Sequence, residues 1–255
     1  MIWKTIKVGF HRLGSPPVFY RLCQLLSPWL WAGFALCAVI GIYQALYVVP
    51  PDYQQGDSFR ILYIHVPSAW QAMAGYVVMS ILAVIALVWR IRTTEIMAMM
   101  CAPVGAAFTA ICLATGSIWG RPMWGTWWEW DARLTSMLVL LFIYLGIMGL
   151  YAAFEDRRKG ARVACILVLV GLVNIPIIHF SVEWWTTLHQ GKTIRIFGES
   201  SMHYSMMPPL IWMTIGVKLM FGAVLLDRSR NELLSQDRRK GWVRAKVLNK
   251  DGKAS

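Results

Sequence analysis

Hydrophobic residues along the chain fall into six long runs separated by short polar segments. The runs cover residues 28–49, 68–89, 97–118, 133–154, 162–180 and 205–226. A helix needs about 20 apolar residues to cross the hydrocarbon core of a bilayer, and each run is close to that length. The pattern therefore predicts an all-α, polytopic membrane protein with six transmembrane helices.

The composition supports this prediction. Hydrophobic residues make up 57% of the 255 residues and charged residues only 15%. A soluble domain of this size has too little interior to bury so many apolar side chains. The five cysteines lie in or beside apolar runs without a Cys-x-x-Cys motif, and we interpret them as small buried hydrophobic residues.

The net charge of +12 is distributed unevenly between the two sides of the predicted membrane domain. Nineteen of the 25 Lys and Arg residues lie in the termini and in the loops after the second and fourth runs, against five in the other loops. This bias predicts cytoplasmic termini. We expect a cytoplasmic N-terminal arm (1–27), a six-helix membrane domain (28–226) and a basic cytoplasmic tail (227–255). The tail either contacts anionic lipid or is a solvated end, and it binds no nucleic acid.

One extracytoplasmic segment, 119–131, concentrates five of the fourteen tryptophans. It reads Trp119-Gly-Arg-Pro-Met-Trp-Gly-Thr-Trp-Trp-Glu-Trp-Asp131. If its second half is an amphipathic helix, Trp124, Trp127, Trp128 and Asp131 share one face and Trp130 lies to one side. Asp131 is also expected to cap the fourth membrane helix. The alternative is an ordinary interfacial belt, where tryptophan is common.

Histidines lie in the two other outer segments. Because proline is favoured at the first helical position, Pro67 predicts that His65 lies just outside the second membrane helix, at the membrane surface. His189 is expected on the last turn of an outward extension of the fifth helix that stops at Gly191. His179 and His203 compete for the same roles, and each histidine has the alternative of being a solvated interfacial residue.

These residue types together suit a flat macrocycle with a central metal. Each of two histidines can supply one axial nitrogen to an iron, and tryptophans can cover the apolar ring by stacking. Arg60, Arg121 and Arg133 are candidates for pairing with two propionates, because the guanidinium fork matches a carboxylate. We assign no catalytic residues.

The segment 119–131 resembles the tryptophan-rich WWD signature of the haem-handling proteins of cytochrome c biogenesis. The six predicted spans, Tyr-Ile-His65-Val-Pro67 and Glu183-Trp-Trp-Thr-Thr-Leu-His189-Gln-Gly191 make the chain most similar to the CcmC family, the haem exporter proteins C. The resemblance covers most of the chain.

The resemblance implies a function, a site and partners. It implies that haem b is bound at the periplasmic face of the bacterial inner membrane and presented to a CcmE-like haem chaperone, beside the CcmA/CcmB ABC transporter subunits and the small subunit CcmD. His65 and His189 resemble the family's axial haem ligands, and Arg60 and Arg133 its arginines for haem or chaperone contact. The haem platform would consist of Trp119, Trp124, Trp127, Trp128, Trp130 and Asp131.

Two other functions are compatible with a haem-binding membrane chain. An electron-transfer subunit of the cytochrome b type would hold haem between helices inside the bilayer, where His179 is the candidate ligand. A permease for haem or a small solute would need a polar path through the spans, for which the candidates are Gln44, Asn174 and Lys218.

Overall fold

The described structure is almost entirely helical. The computed structural model describes residues 14–189 and 202–245. Its long helices are α1 (Pro16–Tyr43), α2 (Leu62–Trp89), α3 (Arg92–Trp124), α4 (Ala132–Ala152), α5 (Arg157–Gly171), α6 (Asn174–Trp184) and α7 (Met207–Asp237). The described residues contain no β-strand, only an isolated bridge between Asp52 and Gly56. The all-α prediction is confirmed.

Six helical segments of the described chain are long and apolar enough to cross a membrane. Helices α5 and α6 form one of them, Arg157–Trp184, with a local break at Leu172 and Val173. Large apolar side chains point outward along these segments, among them Val39 and Val170. Such an apolar exterior matches lipid rather than water, so the prediction of a polytopic membrane protein is confirmed.

The first and last spans are longer than the hydrophobic pattern predicts. Helix α1 begins at Pro16, which is suited to a first helical position, and continues through Pro28. Helix α7 continues past residue 226 to Asp237 because Leu233 is fully buried against Phe19 and neighbouring side chains. The described parts of the predicted arm and tail are therefore largely helical.

Two buried tyrosines join the central helices. Tyr76 and Tyr144 are both inaccessible, and their rings meet edge to face with centroids 5.2 Å apart. The Tyr76 hydroxyl donates to the Val168 carbonyl at 2.9 Å, and the Tyr144 hydroxyl donates to the Ala72 carbonyl at 2.8 Å. Each hydroxyl is satisfied by a backbone oxygen of another helix, so the pair fixes α2, α4 and α5 relative to one another.

Ion pairs tie the helix ends on the side of the termini. Arg92 at the start of α3 contacts the buried carboxylate of Asp237 at 2.5 Å. The buried Glu95 accepts from Arg158 at 3.2 Å and from Arg162 at 3.3 Å. Asp156 caps α5, and the hydrogen bonds it accepts from the backbone of Lys159 and Arg158 lower the pKa of its carboxyl group.

At the opposite end, the segment between α1 and α2 forms a small core of its own. A π-helical turn (Gln44–Val48) ends α1, and a 3-10 turn (Asp57–Ile61) leads directly into α2. Phe59, Tyr63 and Leu210 are buried there, and Trp119 packs against the same cluster. This cluster brings the start of α2 next to the end of α3.

Candidate functional site

His65 lies inside the first turns of α2 and is buried. Because the 3-10 turn precedes α2, the helix begins at Leu62 and Pro67 is its sixth residue rather than its first. The prediction that His65 lies outside the helix at the surface is therefore wrong; its side chain is only 9% exposed. Its Nδ1 lies 3.1 Å from the Cys112 carbonyl and 3.1 Å from the Thr115 hydroxyl on α3.

These contacts assign the proton of the His65 ring. The Thr115 hydroxyl donates to the Ile111 carbonyl at 2.6 Å, which leaves its oxygen as an acceptor toward His65. Both neighbours of Nδ1 are then acceptors, so Nδ1 carries the hydrogen and Nε2 keeps its lone pair. A neutral imidazole held in this way presents Nε2 as a metal ligand.

The space for the His65 ring is provided by Gly116. A Cβ at residue 116 would lie 2.9 Å from Cε1 of His65, closer than carbon atoms normally approach. The ring has little freedom to move away because Nδ1 is hydrogen-bonded to the same helix. Gly116 thus permits the close approach of α2 and α3 at this point.

Gly116→Ala is expected to displace the His65 imidazole and to weaken the haem binding that the sequence resemblance implies by about 10- to 100-fold, as changes that misplace a metal ligand do. A haem titration followed by absorbance in detergent measures the affinity. Gly146→Ala is the matched control, because a Cβ on that helical glycine meets no atom within 4 Å. Equal affinities for the two variants would contradict the assigned role of Gly116.

His189 approaches His65 from a non-helical segment. Helix α6 ends at Trp184, and Trp185 is extended, so the predicted helix through His189 is wrong; its predicted stop at Gly191 lies outside the described residues. The His189 and His65 ring centroids are 6.5 Å apart with 30° between the planes. His189 also lies 6.1 Å from the Trp124 ring.

The tryptophan segment is not a single amphipathic helix. Helix α3 continues through Trp119 to Trp124 and stops at Gly125, whose φ of 78° lies in the left-handed region. The Arg121 side chain donates to the Gly125 carbonyl just past the helix end. Residues 125–131 are irregular, so the predicted helical face of Trp124, Trp127, Trp128 and Asp131 is wrong.

The tryptophans consequently have different surroundings. The Trp119 ring lies edge to face with His65 at 5.7 Å, and its indole N–H donates to Gln55 at 2.9 Å. Trp128 is half-buried and meets Trp130 edge to face at 5.4 Å. Trp127 and Trp130 are 57% and 73% exposed. Trp119 and Trp124 therefore contact the histidine pair, while Trp127 and Trp130 present open faces.

Asp131 caps α4, as the sequence predicts. Its Oδ1 accepts from the backbone N–H of Leu134 at 2.8 Å, and the residue is 9% exposed. Its other carboxylate oxygen is buried and has no hydrogen-bond partner among the described residues. The capping of α4 therefore accounts for Oδ1, whereas nothing in the described fold accounts for the burial of the second oxygen.

Asp131→Ala is expected to lower the free energy of unfolding by about 1 kcal/mol, because the first turn of α4 loses its cap. Asp131→Ser keeps a capping oxygen and removes the unpartnered one, so its stability should stay near that of the wild type. Thermal unfolding in detergent compares the two. If both variants unfold alike, the cap contributes little.

The candidate arginines have different positions. Arg133 lies in the first turn of α4, two residues after the capping Asp131. Arg60 instead donates to Asp57 at 2.8 Å and to the Ala45 carbonyl, which fixes the loop between α1 and α2. The Arg121 side chain donates to the Gly125 carbonyl at the end of α3. Of the three, Arg133 is the one whose side chain forms no hydrogen bond or ion pair with the described residues, so it remains available to a ligand.

The histidine pair and its surroundings lie in a chain that matches known proteins almost from end to end. The sequence profile of the CcmC family, described as Heme exporter protein C, matches residues 9–244. The chain belongs to the CcmC family. The predicted resemblance is therefore confirmed.

Individual relatives agree with this family membership. Heme exporter protein C of Escherichia coli is 46% identical over 252 residues, which cover 99% of this chain and 100% of that protein. Heme exporter protein C of Haemophilus influenzae is 48% identical over 245 residues, 96% of this chain and 98% of that protein. A putative cytochrome c biosynthesis ccmC-like mitochondrial protein of Marchantia polymorpha is 40% identical over 220 residues, 86% and 93% of the two chains.

The two other histidines that the structure describes in this CcmC-family protein have local roles. The His179 side chain is exposed on α6 and its ring packs against Phe180 at 4.7 Å. His203 caps the 3-10 turn Tyr204–Met206 and contacts the Ser205 hydroxyl at 2.8 Å. The described residues hold no cluster of three or more metal-binding side chains of the His, Cys, Asp and Glu types. The ligand candidates are thus a pair of histidines.

Sequence reasoning missed the residues that support His65. Thr115, Gly116 and the Cys112 carbonyl lie near the end of an apolar run, where small residues give no sign of a role. Gln55, the partner of Trp119, lies in a polar loop. Thr115 and Gly116 follow Cys112 by three and four residues, so the three residues share one helix face. This spacing was the only sign in the sequence that they act together.

Proposed function

We propose that this protein binds haem b at the periplasmic face of the bacterial inner membrane and presents it to a CcmE-like haem chaperone. Membership of the CcmC family and six apolar spans make it a multi-pass membrane protein of haem handling in cytochrome c maturation. The observation that carries the proposal is the facing pair of His65 and His189.

The separation of the two rings suits a shared iron. A metal–imidazole nitrogen bond is about 2.0 to 2.1 Å. Two imidazoles on opposite sides of one iron therefore have centroids about 6 to 7 Å apart, and the separation here is 6.5 Å. His65 adds a fixed tautomer with Nε2 unprotonated, as the ligand role requires.

The surrounding residues suit the porphyrin. Trp119 and Trp124 lie next to the two histidines and can cover the apolar ring, a contribution of about 1 kcal/mol per aromatic pair beyond area burial. Trp127, Trp128, Trp130 and Asp131 extend the proposed platform. Arg133, whose side chain is not used in a local hydrogen bond, is the first candidate for a propionate, and Arg60, which donates to Asp57, is better suited to a chaperone contact near the rim.

The site has a buried half and an accessible half. His65 is enclosed between α2 and α3, while His189 lies on an irregular segment flanked by exposed Trp185 and Leu188. A ligand on such a segment can leave the iron without disturbing the helices. We propose that His65 retains haem and that His189 is exchanged when the chaperone takes it.

The charge bias supports our proposal that the termini lie in the cytoplasm and the histidine pair on the periplasmic side. The family name implies a haem export complex. We propose the CcmA/CcmB transporter pair and the small subunit CcmD as its other members. We propose the same division into a cytoplasmic arm, a membrane domain and a cytoplasmic tail. Helix α1 extends into the arm, and helix α7 extends into the tail.

A haem transfer experiment tests the function. The purified full chain in nanodiscs is titrated with haem, and we expect the absorption spectrum of a six-coordinate, low-spin iron. Addition of the soluble domain of a CcmE-like chaperone should then remove haem from the nanodisc fraction. Absence of six-coordinate haem would refute the site. Binding without any transfer would refute presentation and favour the electron-transfer function.

A further inference from the structure

A second candidate binding site is a crevice between α3, α4 and α7. Two adjoining cavities, of about 150 and 240 Å³, share Pro103 and Arg228 in their walls, and we call them together the Arg228 crevice. Tyr151 lines one cavity, and Phe108 and Met220 line the other. The crevice lies toward the helix ends that bear the termini.

The walls of the Arg228 crevice are apolar and adaptable. The crevice follows α3 from Pro103 to Ile111 and α7 from Met220 to Arg228, which is about 12 Å of helix at 1.5 Å per residue. Met100, Met148 and Met220 pack against the core yet stay partly accessible, and methionine side chains adjust to irregular neighbours. A partner helix is about 10 Å wide and does not fit cavities of this size, whereas a single acyl chain does.

Two arginines stand at the mouth of the crevice. The Arg228 side chain is exposed, and the Arg157 guanidinium lies 5.1 Å above the Tyr151 ring. Neither arginine forms an ion pair within the described residues. Glu232, one turn beyond Arg228, instead accepts from the Tyr151 hydroxyl at 3.0 Å and from Gln236 at 2.8 Å.

Other arginines near this rim are engaged in ion pairs. Arg92 is paired with Asp237, and Arg158 and Arg162 share Glu95. Arg228 and Arg157, which lack such a partner, lie near Tyr151, where the apolar crevice opens. A ligand complementary to this arrangement has an apolar chain and an anionic head.

We infer that the Arg228 crevice binds an anionic phospholipid, with one acyl chain between α3 and α7 and the phosphate against Arg228 and Arg157. The guanidinium fork pairs with phosphate oxygens through two parallel hydrogen bonds. A lipid with net negative charge is preferred over a zwitterionic one because no ammonium group of the headgroup opposes the two arginines. The site is separate from the histidine pair and does not depend on haem.

Native mass spectrometry of the purified full chain without haem tests the site. The probes are phosphatidylglycerol and phosphatidylcholine with identical acyl chains. Each arginine near an anionic headgroup contributes about fivefold in affinity, so the double variant Arg157→Gln/Arg228→Gln should lose roughly 20-fold for phosphatidylglycerol. Its affinity for phosphatidylcholine should change far less. Arg239→Gln, an exposed arginine beyond α7, is the charge control.

A second variant tests the chain-binding part. Ala107 lines the crevice and is exposed, so Ala107→Phe should fill it and weaken both lipids, whereas Ala35→Phe, at an exposed position on α1, should not. Excess inorganic phosphate should leave phosphatidylglycerol bound, since phosphate lacks the acyl chain; displacement would identify a simple anion site and overturn the inference. Unchanged phosphatidylglycerol binding in the double arginine variant would overturn it as well. The arginine substitutions are at exposed positions, so this arm remains informative if Ala107→Phe does not fold.

Discussion

Alanine at His65 or at His189 is expected to abolish the six-coordinate haem spectrum. Each variant removes one of the two proposed axial nitrogens. Changes to residues around a metal ligand lower metal affinity by roughly 10- to 100-fold. Because His65→Ala removes the ligand itself, we expect it to lower haem affinity by at least about 100-fold. The loss for His189→Ala should be smaller. His65 is fixed by α2 and by Nδ1, whereas His189 must be held in place by an irregular segment.

Absorbance spectra of the purified variants with added haem measure this difference. His189→Ala should retain a five-coordinate haem on His65, and imidazole in the buffer should restore six-coordination because that side of the site is accessible. Imidazole should restore six-coordination poorly in the His65→Ala variant, since the vacated position is enclosed between α2 and α3. His179→Ala is the control and should keep the wild-type spectrum; an unchanged spectrum in both ligand variants would disprove the ligand assignment.

The hydrophobic pattern predicted the parts of the fold that the bilayer dictates. Backbone groups in lipid must be satisfied within a helix, so six apolar runs give six spans almost regardless of sequence detail. Counting the spans also placed the segments of His65, Trp119 and His189 on one side, and the three do meet there. Asp131 was predictable as a cap because it directly precedes an apolar run.

Local geometry at the site was less predictable. The prediction of one helical face of tryptophans is wrong because Gly125 ends α3 in a left-handed conformation. The extension to His189 fails because Thr187 uses its hydroxyl for the backbone: the His189 N–H donates to it at 2.9 Å, and such bonds compete with a helix. His65 is buried because a 3-10 turn lengthens α2 in front of Pro67, a feature with no strong sequence signal.

The close packing of α3 predicts the largest effect on stability. A Cβ on Gly105 would overlap the ring of Tyr144, which is fully buried and donates to the Ala72 carbonyl at 2.8 Å. Gly105→Ala is therefore expected to cost about 3 kcal/mol or more, since overpacking costs about 1 to 3 kcal/mol and the displaced hydrogen bond a similar amount. Thermal unfolding in detergent measures the loss. Gly149→Ala, with no atom within 4 Å of the added Cβ, should be neutral or slightly stabilising.

The same substitution connects the core to the proposed haem site. Ala72 lies two helical turns after His65 on α2, and Gly105 lies three turns before Gly116 on α3. Separating these helices at Tyr144 moves His65 relative to the Cys112 carbonyl and to Gly116, so Gly105→Ala should weaken haem binding without touching the site. Shortening the obstructing side chain with Tyr144→Leu in the Gly105→Ala background should recover part of both stability and haem affinity, giving a coupling energy above about 1 kcal/mol. Recovery of stability alone would mean that the position of His65 is set locally, by the start of α2, rather than by the packing of the helix core.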